Sequence, residues 1–99
     1  MNDYLDRWPS LQMLCEVAAQ IGGLDVYAFG SSMRRDDPRD LDILIVYTDP
    51  AALNSLVSAH EWDLQVPPVD LIAMMPDEVV ELRFLDVTRA QKICASGWR

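Results

Sequence analysis

The chain has 99 residues, 51% hydrophobic and 24% charged, with 16 acids against 8 bases and a formal net charge of −8. These proportions fit one ordinary globular domain over residues 1–99 and exclude a disordered or fibrous chain. A pI near 4.3 makes direct binding to duplex nucleic acid an unfavoured function, because that affinity comes from neutralising phosphates with a basic surface.

Residues 1–9 carry acids and no apolar core of the signal-peptide type, and no later apolar run approaches the length of a membrane span. The sequence therefore predicts a cytoplasmic protein without a membrane partner. Residues 10–21 place Leu11, Leu14, Cys15, Ala18 and Ile21 at helical spacing, after Pro9-Ser10 and before Gly22-Gly23, which predicts an amphipathic helix packed on a sheet. Residues 24–29 form a short run rich in Val, Tyr and Phe, read as a first strand ending at Gly30-Ser31. A polar stretch follows, and residues 41–47 are then almost continuously apolar, as expected of a central strand covered on both faces beyond its aspartates.

Thr48-Asp49-Pro50 has the chemistry of a helix start, with Asp49 as N-cap and Leu53, Leu56 and Val57 as the buried stripe. This helix should run to about His60, where a lone histidine suits a cap or surface position better than catalysis. Pro67-Pro68 interrupts the chain before a third strand over residues 69–74, which has Asp70 near its start. Pro76-Asp77-Glu78 opens another helix, with Val79, Val80, Leu82 and Phe84 on its apolar side. Residues 88–96 are compatible with a helix capped by Thr88 or with a short irregular edge segment. Cys15 and Cys94 lie far apart with no metal-site spacing, and buried free thiols are the expectation rather than a disulfide or a zinc site. Trp8, Trp62 and Trp98 are read as core or interface anchors.

One stretch organises the rest: Gly30-Ser31-Ser32 after the first strand, and Asp40-Leu41-Asp42 opening the second. Side chains alternate along a strand, so Asp40 and Asp42 share a face with their Cα atoms roughly 7 Å apart, near enough to serve one metal centre. Acids so placed repel unless a proton, a base or a cation intervenes, and an all-oxygen site suits magnesium. Arg34, Arg35 and Arg39 lie between the two motifs beside Asp36 and Asp37. Phosphate contact and a self-neutralised solvated loop are both open for them.

A Gly-Ser turn, an Asp-x-Asp on the next strand and Asp70 on a later one resemble the nucleotidyltransferase fold of the DNA polymerase β superfamily, most closely its minimal single-domain members. The order of elements agrees to about Leu85. Eight residues, 32–39, separate the two motifs, fewer than is usual in the family. The resemblance implies an α/β (α+β) fold, a mixed sheet flanked by helices. It implies that Asp40 and Asp42 ligate two magnesium ions, and that Asp70 completes the ligand set beside the acceptor hydroxyl and takes its proton. Gly30 would let the backbone approach a nucleoside triphosphate while Ser31 and Ser32 hold its phosphate oxygens. The reaction implied is transfer of a nucleoside monophosphate, AMP above all, to a hydroxyl. The acceptor would be supplied by a partner such as a small helical HEPN protein, in a toxin–antitoxin pair. The rival expectation is a catalytically inactive binding module or antitoxin subunit on the same fold, and a weaker one is a phosphate-sensing regulatory domain.

Overall fold

The computed structural model describes residues 8–30, 39–59 and 68–94. Helix α1 (Pro9–Ile21) begins with proline in its first turn, where the missing N–H would have had no partner. The N–H groups of Leu11 and Gln12 donate to the Trp8 carbonyl at 3.0 and 3.2 Å. Leu11, Leu14, Cys15 and Ala18 form its buried face, as the spacing predicts. Strand β1 (Leu24–Phe29) follows and pairs antiparallel with β2 (Leu41–Tyr47), in a register running from Leu24 opposite Tyr47 to Phe29 opposite Asp42.

Helix α2 (Pro50–Ser58) is capped as expected, the Ala51 N–H donating to the Asp49 carboxylate at 2.9 Å. It carries the chain over to β3 (Val69–Met74), which lies parallel to β2. Such a return requires a crossover, and α2 supplies it. Helix α3 (Pro76–Leu82) ends at Arg83, which takes a left-handed conformation with φ 52°, so the helical run expected through Phe84 divides there. Phe84 instead begins α4 (Phe84–Thr88). Strand β4 (Gln91–Cys94) then pairs antiparallel with β1 and completes a mixed sheet in the order β3-β2-β1-β4. Of the two readings left open for residues 88–96, the helix is excluded. Pairing with β1 is a long-range choice that periodicity does not carry.

Alternation divides the sheet into two faces. Leu24, Val26 and Ala28 of β1 and Leu41, Ile43 and Ile45 of β2 join Leu11, Leu14 and Ala18 of α1 and Leu56 of α2 in the main core. The expectation of free thiols is corrected here, since Cys15 and Cys94 form a disulfide across a Cα separation of 5.9 Å. Cys15 lies on the buried face of α1, and Cys94 reaches it only because β4 docks beside β1, a juxtaposition that no spacing in the sequence encodes. The opposite face carries Tyr27, Phe29, Asp42, Leu44, Asp70 and Ile72. Helix α3 contacts β2 and buries Val79. Phe84 of α4 meets Phe29 edge-on, with ring centroids 5.0 Å apart and planes at 87°. No helix among the described residues is long and apolar enough to cross a membrane.

Candidate functional site

The acids lie at the end of the sheet where β2 and β3 both begin. Asp42 and Asp70 are register partners on these parallel neighbours, so their Cα atoms are one strand spacing apart, about 4.8 Å, and their side chains leave the same face. The register is fixed just ahead of them, where the Leu41 N–H donates to the Pro68 carbonyl at 2.9 Å. Asp40 precedes β2 by one position. Asp40 and Asp70 are exposed, whereas Asp42 is half-buried between Asp70 on one side and Phe29 on the other.

Burial raises the Asp42 carboxyl above its ordinary range, and the charges of Asp70 and then Asp40 push it further in the same direction. Asp42 therefore senses both of the other acids and stands at the centre of the group. Spacing alone does not mark Asp42, because its burial and its pairing with Asp70 come from the folded sheet. Among the described residues, however, no group of three or more His, Cys, Asp or Glu side chains is gathered into a ready-made metal cage. This does not conflict with magnesium chemistry. That ion usually takes one or two protein carboxylates and completes its shell with water and substrate phosphate. The donor set here, carboxylate oxygens alone with one desolvated member, fits a hard divalent cation.

Gly30 ends β1 in the left-handed region, with φ +82°, next to the Phe29–Asp42 pair. Ser31, Ser32, Arg34 and Arg35 lie outside the described residues, as do His60, Trp62 and Trp98. Arg39 is exposed immediately before Asp40. Trp8 packs against the main core, the anchoring role expected of it. The sequence places Phe84 on the apolar side of a helix. Its contact with Phe29, beside the acids, has no local signal because four elements, β2, α2, β3 and α3, separate the rings in the chain.

Comparison adds no relative. No family model, no curated protein and no solved structure matches the chain.

Proposed function

We propose that this protein is a magnesium-dependent nucleotidyltransferase of the minimal polymerase β type, moving a nucleoside monophosphate from a nucleoside triphosphate to a hydroxyl. The observation that carries this reading is the register pairing of Asp42 with Asp70 beside Asp40, with the Asp42 carboxyl raised by burial and by both neighbours. Asp40, Asp42 and Asp70 would hold up to two magnesium ions, which when bound supply charge neutralisation to the attacking and leaving oxygens. Asp70, exposed at the mouth, accepts the proton of the acceptor hydroxyl. The hydroxyl oxygen bonds to the α-phosphorus, the α–β bridging bond breaks, and pyrophosphate leaves. Gly30, Ser31 and Ser32 bind the phosphate tail on backbone N–H groups and hydroxyls.

The acidic chain, at −8, favours an acceptor on a basic protein partner over one on nucleic acid, in keeping with a HEPN-like partner. A cytoplasmic location goes with a supply of ATP. A Cys15–Cys94 disulfide is unusual in that compartment. Alkylating the thiols in intact cells before purification distinguishes a bond present in the cell from one formed afterwards.

The experiment is incubation with α-labelled ATP, magnesium and the product of the neighbouring gene. Label transferred to the acceptor, lost in Asp40→Ala and Asp42→Ala, supports the enzyme. The short spacing of eight residues, 32–39, between the two motifs supports a second reading, a non-catalytic subunit on the same fold. Its signature is intact partner binding by both variants with no turnover of any nucleoside triphosphate by the wild type.

A further inference from the structure

We propose that Gly30 is the positioning residue for Asp42: the hydrogen that stands where other residues carry Cβ leaves the space in which the Asp42 carboxylate lies. This rests on the nucleotidyltransferase reading of the acids and deepens it, giving Gly30 a role distinct from close approach to phosphate. A Cβ built on Gly30 overlaps the Asp42 Oδ2 and lies 3.0 Å from its Cγ and 3.2 Å from its Cβ. All three nearest atoms belong to Asp42. The backbone leading into Gly30 is held in the sheet. Phe29 is paired with Asp42 across β1 and β2 and braced by the Phe84 ring.

What yields is the Asp42 side chain, in which one torsion carries the whole carboxylate. Any side chain at position 30 therefore displaces the Asp42 carboxylate from the place it holds beside Gly30. The Gly-Ser turn and the Asp-x-Asp strand are in this way two halves of one steric fit. The glycine sets where the central acid points, and the register between β1 and β2 sets which acid that is.

Gly23 provides an internal control. It has a similar positive φ, +73°, but a Cβ there meets nothing within 4 Å, so Gly23→Ala reports backbone strain alone. The experiment titrates Mn²⁺ into the full chain without nucleotide, followed by electron paramagnetic resonance, for wild type, Gly23→Ala and Gly30→Ala. Thermal melts of Gly30→Ala are run in parallel, with Asp42 intact and with Asp42→Ala. The expected result is Mn²⁺ affinity unchanged in Gly23→Ala and weakened roughly tenfold or more in Gly30→Ala, in the range usual for losing a group that orients a ligand. In the Asp42→Ala background, Gly30→Ala should lower the melting temperature no more than Gly23→Ala does. Wild-type affinity in Gly30→Ala, or an equal melting loss with and without the Asp42 carboxylate, overturns the proposal. If the wild type binds no Mn²⁺ without nucleotide, the melting comparison alone decides whether Gly30 makes room for Asp42, and the labelled-ATP assay decides the enzymatic reading separately.

Discussion

Replacing Asp42 by asparagine should stabilise the metal-free protein at neutral pH. The side chain keeps its shape and loses its charge, and in the folded state that charge is opposed by burial, by Asp70 and by Asp40. With the strands about 4.8 Å apart and the carboxylates splayed to about 6 Å, one like-charge neighbour costs about 0.7–1.4 kcal/mol at an effective dielectric of about 40–80. Asp70 is exposed and well screened, so the expected gain falls to about 0.5 kcal/mol, or about 2–4 °C in melting temperature for a domain of this size. The sign with pH follows from the raised carboxyl. Above the ordinary aspartate value the folded chain binds the Asp42 proton more tightly than the unfolded chain does, so wild-type stability falls as pH rises through the Asp42 titration. Below that value both states are protonated and the penalty vanishes. Melting curves of wild type and Asp42→Asn between about pH 3 and pH 8 should diverge as pH rises and converge in acid. Saturating magnesium should raise the wild type and leave the variant unmoved. A variant that is less stable at neutral pH, or whose advantage is the same at every pH, would refute the electrostatic account of this cluster.

Three further expectations concern the scaffold. Reduction of Cys15–Cys94, or the double change Cys15→Ala and Cys94→Ala, should cost up to about 4.5 kcal/mol, since the bond closes a separation of 79 residues; urea unfolding with and without reductant measures this, and coincident curves would mean that the bond contributes nothing. Phe84→Ala should lose about 1–2 kcal/mol, the half-buried share of an aromatic truncation. Part of the loss should be coupled to Phe29, because a double-mutant cycle with Phe29→Ala isolates the edge-on contact; strictly additive losses would count against that contact. Asp49→Ala should cost about 1 kcal/mol by leaving the Ala51 N–H without its cap, whereas Asp49→Asn should recover most of the loss in the same melts.

Local chemistry determined much of this protein before any tertiary contact entered. The apolar period of residues 10–21 and the Asp49-Pro50 start signal place α1 and α2 within a residue or two, because caps and periodic stripes act over one or two turns. Alternation likewise fixes the face that Asp42 leaves by backbone geometry alone, whereas Asp40, expected on the same face, lies just ahead of β2. Contacts between distant parts of the chain decided the rest. Parallel pairing of β3 with β2 made Asp70 the neighbour of Asp42, whose carboxyl is raised by burial and then by the charges of Asp70 and Asp40. Docking of β4 beside β1 excluded the helix near the C-terminus, made a regular strand where an irregular edge segment was the alternative, and brought Cys94 to Cys15. The left-handed Arg83 divided a helix that its apolar pattern would have continued. A linear pattern records which face a side chain leaves, and only the folded sheet decides what stands opposite it.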